Sequence, residues 1–346
     1  MSVKSKEINR TIYMLKALAC FGVVLIHCPF PSILGTLAKG PISCAVPLFF
    51  MISGYYSYFD NENCDMRISN RAKYIGKILF FTEVGYFVWH CVKASINAGA
   101  IGTIEWMRSA FSIENIVRFI CFQTPFIGDV SWYLVVLLLC YLVARVLYKY
   151  KFWNRVYWMI PILLICNILI GEIVPTIQRT KTSWWYCSNF WLIGFPIFTA
   201  GHWLHKQEKI LEKYINDKML FTLIIISIGL SVMEVVIAGG RPYYLGNFIT
   251  VPCLMLFAIR YSDFQREKKW ARLLEEIGKK YSLYVYLLHP IIRDILNMVA
   301  VANNITIGSV VWILLLPIMT AIISLMIAVM IYKIISFYRE NNAIVR

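Results

Sequence analysis

The sequence predicts an all-α polytopic membrane protein. About ten transmembrane helices form one membrane domain over residues 1–346, with both termini cytoplasmic and no separate soluble domain. Three observations predict this. Hydrophobic residues are 59% of the chain and charged residues only 15%, where soluble domains carry about 25% charged residues. The apolar residues gather into runs long enough to cross a hydrocarbon core of roughly 30 Å. The basic residues are shared unequally among the loops between those runs. Mean hydropathy is +0.64, which excludes both a water-soluble monomer and a disordered chain.

The apolar runs fall at 11–29, 41–59, 74–96, 131–149, 157–174, 187–204, 219–237, 244–260, 281–300 and 309–331. The first has a basic start but leads into His27-Cys28-Pro29-Phe30-Pro31 with no small-residue cleavage site. It is therefore expected to stay in the protein as a span and not to be removed as a signal peptide. Residues 111–123 are apolar but short, and read as a re-entrant or interfacial piece. The longest outer segment, 97–130, is too small for a second catalytic domain.

Loop charge sets the orientation. With the N-terminus inside, the cytoplasmic segments carry 25 of the 34 Lys and Arg residues. The outer segments carry six: Lys39, Arg108, Arg118, Arg179, Lys181 and Arg241. Lys16, Lys93 and Arg293 fall within spans. This asymmetry is the positive-inside pattern. The net charge of +15 is thereby explained by topology, so membrane lipids are the expected surroundings and no nucleic acid is expected as a partner. Among the ten cysteines, Cys20, Cys140, Cys166 and Cys253 lie inside apolar runs and read as small packing residues. No zinc-type spacing occurs, so no metal is expected. Serine-hydrolase and phosphate-loop signatures are absent.

Ionisable groups within spans cost roughly 2.5–3.5 kcal/mol each on insertion scales, so each needs a reason. Glu172, Glu234 and Lys93 sit near span ends, where snorkelling suffices. His202, at the inner end of its span, is expected to be unexceptional. Lys16 and His27 are eleven residues apart, about three turns plus 20°, so they share one helix face roughly 16 Å apart along the axis. A snorkelling lysine and an interfacial histidine are the plainer account of the pair. Glu83 has a depth similar to Lys16 and is a candidate partner for it. His289 falls near the middle of its span, with Arg293 four residues on along the same face and Asp294 next to it as a neutralising carboxylate. That cluster reads either as a site facing a cavity or as a structural network. Trp132-Tyr133 and Trp184-Trp185-Tyr186 read either as an aromatic belt or as a stacking surface for sugar rings.

Taken together, these residues resemble the acyltransferase-3 family of integral membrane acyltransferases. Lys16-x10-His27 resembles its basic-x10-His signature. The stretch Val46-Pro47-Leu48-Phe49-Phe50-Met51-Ile52-Ser53-Gly54-Tyr55-Tyr56 resembles its second-span motif. Trp132-Tyr133-Leu134 with Leu137 and Tyr141 resembles its mid-chain span. Ser282-Leu283-Tyr284-Val285-Tyr286-Leu287-Leu288-His289-Pro290 resembles its late Ser-Leu-x-x-Tyr-x-x-His-Pro span. The resemblance covers nearly the whole chain in order. Two departures stand out. Lys16 replaces the usual Arg and loses its planar fork. The family's Arg-x-x-Arg pair is represented by Arg71 alone, with Lys73 and Lys77 as the compensating charges.

The resemblance implies transfer of an acyl group, usually acetyl, from cytoplasmic acetyl-CoA to a hydroxyl of a cell-surface polysaccharide or lipid-linked glycan at a bacterial plasma membrane. His27, Lys16 and His289 would be the catalytic residues. His27 would act either as general base or as transient acyl carrier. Arg293, Ser53, Trp132, Trp184, Trp185 and Tyr186 would meet the acceptor, and Arg71, Lys73 and Lys77 the CoA phosphates. With no hydrolase-like extracytoplasmic domain, transfer would be direct within the membrane domain. A homo-oligomer is left open. The rival reading is a transporter or flippase of a glycan or small anion, which would be expected to show inverted repeats.

Overall fold

The structure, a computed structural model, describes residues 9–59, 64–128, 130–180 and 183–344. Every regular element among them is helical. Helix α1 (Arg10–His27) starts behind Asn9, whose side-chain oxygen accepts from the Ile12 N–H at 2.9 Å. It stops at His27, where Cys28 leaves helical geometry and two prolines follow closely. The second span is broken in two, α2 (Ser32–Ile42) and α3 (Ala45–Tyr55), and starts well before the predicted residue 41. Pro41 and Pro47 flank the break.

Helix α4 (Cys64–Ala110) continues far beyond the predicted 74–96. Its helical geometry is interrupted only at Ala98 and Gly99, and Gly99 takes φ +65. Much of the expected outer loop is thus helix. It is followed by the short α5 (Ile113–Phe122), which buries none of its residues. Helix α6 (Trp132–Lys149) matches its run. α7 (Trp153–Val156), α8 (Met159–Ile168), a π-helical turn at Leu169–Ile173 and α9 (Val174–Ile177) form one 25-residue apolar passage. Next come α10 (Phe195–Tyr214), α11 (Asp217–Ala238), α12 (Leu245–Arg260) and α13 (Lys269–Glu276). A π-helical turn at Ile277–Tyr281 leads into α14 (Ser282–Ala302), and α15 (Val310–Ile344) closes the described chain.

Eight of these passages are long and apolar enough to cross a membrane, against ten predicted runs. The other two runs are also helical. The 187–204 run becomes a π-helical turn at Phe190–Gly194 plus α10, whose second half is charged. The 244–260 run becomes α12, only 16 residues long. Large apolar side chains point outward along the passages, as with Ile225, Ile226, Val236 and Ile237 on α11. Such surface suits lipid and not water.

The chain forms two compact units. The first comprises Met1–Phe49, Glu208–Val232 and Ile249–Arg346. Here α1 packs on α13, α14 and the turn between them. The Cys20 thiol donates to the Ser282 carbonyl at 3.2 Å. On the far part of α14, Ile292, Leu296 and Ala300 pack with Trp312 of α15. The second unit comprises Phe50–Gln207 and Met233–Phe248. Helices α3 and α10 touch there through their backbones. A Cβ on Gly54 would lie 1.9 Å from the Phe198 carbonyl oxygen, and one on Gly201 would lie 2.1 Å from that of Met51. Only glycine permits this approach.

Candidate active site

In the first unit, α1 supplies Lys16 and His27, and α14 supplies His289, Arg293 and Asp294. The structure brings the two histidines together. Their ring centroids are 5.1 Å apart and their planes cross at 46°. His27 is half-buried on the last residue of α1. His289 is fully buried, and no side chain hydrogen-bonds either of its nitrogens. The carbonyls of Val285 and Tyr286 interact with its ring from the preceding turn. A buried polar ring so poorly satisfied costs about 1–3 kcal/mol, a cost that points to a chemical role. The Tyr286 ring lies 6.1 Å from His289, and Phe49 meets Tyr286 edge-on at 6.2 Å.

Arg293 does not stand alone. Its Nε and Nη2 donate to Asp294 Oδ1 at 3.2 and 3.0 Å, and Asp294 is buried. Cys28, next in the chain to His27, faces Arg293, Asp294 and Thr320. Two histidines, a neutralised guanidinium and a thiol therefore converge where α1 ends. Lys16 is half-buried three turns earlier on α1, its ammonium 5.8 Å from the centre of the Tyr13 ring. Glu83 falls in the other unit, where it accepts from the Ser131 hydroxyl and the backbone N–H groups of Gly128 and Ile127.

The second unit holds the remaining candidates. The Ser53 hydroxyl is hydrogen-bonded with the phenols of Tyr133 and Tyr141, and Tyr141 also meets Arg71. Arg71 donates to Ser57 Oγ at 3.4 Å and lies 5.3 Å from the Phe59 ring centre. Lys73 and Lys77 do not join it. Both are exposed, and they line an open groove with Gly76, Phe80 and Phe81. The three charges read from the sequence as one group therefore divide between an inward and an outward face of α4.

The aromatic residues do converge. Trp132 is buried and lies 5.9 Å from Trp184, which is 6.2 Å from Trp185, itself 6.2 Å from Tyr186. The Arg118 guanidinium sits 4.9 Å from the Trp185 ring. Asn189 fixes this turn by donating to the Trp185 and Tyr186 carbonyls at 3.1 and 2.9 Å.

Some readings are corrected. His202 is not an ordinary boundary residue. It is fully buried, stacked on Trp153 at 3.6 Å, with Tyr148 and Tyr157 hydroxyls at 2.7 and 2.9 Å from its two nitrogens. His205 donates from Nδ1 to the Tyr55 carbonyl at 2.6 Å and stacks on the Tyr55 ring. Glu172 and Glu234 do not snorkel either. Both are buried and face each other, Glu172 lies beside Arg241, and Glu234 accepts from the Gly246 N–H at 3.0 Å. Residue spacing carries no sign of the pairings of His202, His205 and Glu172, because their partners come from segments far away in the chain.

A family model described as an acyltransferase domain, that of the acyltransferase-3 family, matches residues 9–329. No curated protein and no solved structure matches the chain. The chain belongs to the acyltransferase-3 family, and it is a multi-pass membrane acyltransferase.

Proposed function

We propose that the protein is an O-acetyltransferase of a bacterial plasma membrane. It takes acetyl from cytoplasmic acetyl-CoA and delivers it to a hydroxyl of a cell-surface polysaccharide or lipid-linked glycan. The observation that carries this reading is the pairing of His27 with the buried His289, backed by Arg293 and Asp294. In this reading the acceptor oxygen attacks the thioester carbonyl carbon while His27 takes the hydroxyl proton. The carbon–sulfur bond then breaks, and the departing CoA thiolate receives that proton from His27. His289 and Arg293 stabilise the negative charge that develops on the carbonyl oxygen. A histidine nucleophile offers a second route, in which acetyl rests on the His27 ring before the acceptor takes it.

Lys16 attracts the anionic donor, together with the basic inner segments. Arg71 is held inward and positions Tyr141 and Ser57, whereas Lys73 and Lys77 remain available to phosphate. The Trp132, Trp184, Trp185 and Tyr186 rings offer flat faces for sugar. Membranes containing the protein, supplied with acetyl-labelled acetyl-CoA and a panel of glycans, test the reading. Label covalently attached to glycan supports it. Glycan that crosses the membrane unmodified, with no label transferred, contradicts it and supports transport.

A further inference from the structure

We propose that Lys279 and Tyr13 complete, with Lys16, the site that holds the diphosphate of the acyl donor. The inference rests on the donor reading above and adds two residues to it. The ammonium groups of Lys16 and Lys279 both stand over the Tyr13 ring, 5.8 and 6.0 Å from its centre. Lys16 and Tyr13 lie on α1, and Lys279 lies on the π-helical turn before α14.

The backbone makes this meeting compulsory. A Cβ on Gly278 would lie 1.7 Å from the Tyr13 carbonyl oxygen, so the turn and α1 are in direct backbone contact. The residue after Gly278 is thereby delivered to the Tyr13 ring. π-helical turns are rare and concentrate at functional positions. The Ser282 hydroxyl helps close this one by donating to the Gly278 carbonyl at 2.9 Å.

The neighbouring charges show why the two lysines stand apart. Arg10 pairs with Glu275 at 3.8 Å and with Asp263 at 3.3 Å. Lys280 pairs with Glu276 at 2.9 Å, and Tyr281 donates to the same carboxylate at 3.1 Å. Among the described residues neither Lys16 nor Lys279 has a carboxylate partner. Two like charges drawn to one ring repel each other, and an anion between them reverses that cost. Lysine binds phosphate as a point charge on a flexible stem. A diphosphate presents two anionic ends to two such stems, while the ring offers each ammonium a cation–π contact. Lys279 is exposed, so phosphate can reach it from the basic 260–280 segment. His27 lies roughly 16 Å further along α1 from Lys16, a span suited to the extended arm that links the diphosphate of CoA to its sulfur.

The test is coenzyme A binding to the purified full chain, measured for wild type, Lys279→Met, Lys279→Arg and Lys280→Met. Lys279→Met should raise Kd about tenfold, the loss of one charge-assisted contact. That defect should shrink at high salt. Lys279→Arg should stay within about twofold because the charge remains. Lys280→Met should bind as wild type, since that cation is committed to Glu276. In transfer assays Lys279→Met should raise KM for acetyl-CoA and leave kcat nearly unchanged. Wild-type affinity in Lys279→Met, or an equal loss in Lys280→Met, overturns the proposal and leaves the donor reading standing. No binding of coenzyme A by the wild type removes the donor reading and the proposal with it.

Discussion

At the residue scale, the buried His289 is the group whose surroundings ask most for a chemical explanation. Its ring is closed off from solvent, faces His27 and has no side-chain hydrogen bond on either nitrogen. If it serves transfer, His289→Ala should cut kcat by about a hundredfold or more while coenzyme A affinity stays within about twofold. If it only ties α1 to α14, the same change should first lower Tm and protein yield, with the surviving protein fully active. Lys16 gives a second test at this scale. Lys16→Arg should retain donor KM better than Lys16→Met, because charge and length survive in the first and only length in the second. Equal kinetics in the two variants would return Lys16 to a snorkelling role. The pairing of His27 with His289 was legible in the sequence only as two histidines of the right depth. The 11-residue spacing fixes Lys16 and His27 on one face, but no periodicity tells which helix that face will meet.

Elements were legible in proportion to their hydrophobic uniformity. Helices α1 and α6 match their predicted runs closely, and in α1 the Asn9 cap and the prolines Pro29 and Pro31 set the two ends. The extent of α4 was not legible. Its later half carries Gly99, Gly102 and several polar residues, which read as loop, while the backbone stays helical on both sides of the Ala98–Gly99 kink. Arg71, Lys73 and Lys77 share a segment but not a helix face. Closeness in sequence put them in one segment, but a helix turns about 100° per residue and sent Arg71 inward and the lysines outward. Gly54 had a visible motif around it and no visible cause. The cause is the backbone contact between α3 and α10. Gly54→Val should therefore lower stability by about 1–3 kcal/mol or more, read as a fall in Tm and in folded yield in mild detergent. The same substitution at Gly76, which has no neighbour within 4 Å of its Cβ position, should leave Tm close to wild type. Equal effects at the two sites would remove the packing explanation for Gly54.

At the scale of the whole molecule, charge and hydropathy carry most of the fold. Membrane character, helical class and family are all visible before any contact is known. The number of crossings is not, because α10 changes from apolar to charged midway and α12 is short. Hydropathy averages cannot say whether such a helix crosses. The Lys and Arg distribution makes a sharper prediction, that both ends of the chain share the cytoplasmic side. Protease protection of small tags at the two ends, in sealed vesicles of known orientation, reads this directly. Tags cleaved together only in inside-out vesicles are the expected result. Tags cleaved from opposite faces would require an odd number of crossings and a new assignment of every loop.

The measurement that tests the central claim most directly is transfer of labelled acetyl by membranes containing wild type or His27→Ala, with the two proteins present in equal amount. The account predicts label on glycan in the wild type and a loss of about a hundredfold or more in His27→Ala, the scale set by removing a general base or nucleophile. A His27→Ala protein that keeps more than about a tenth of the wild-type rate lies outside that scale and would contradict the account.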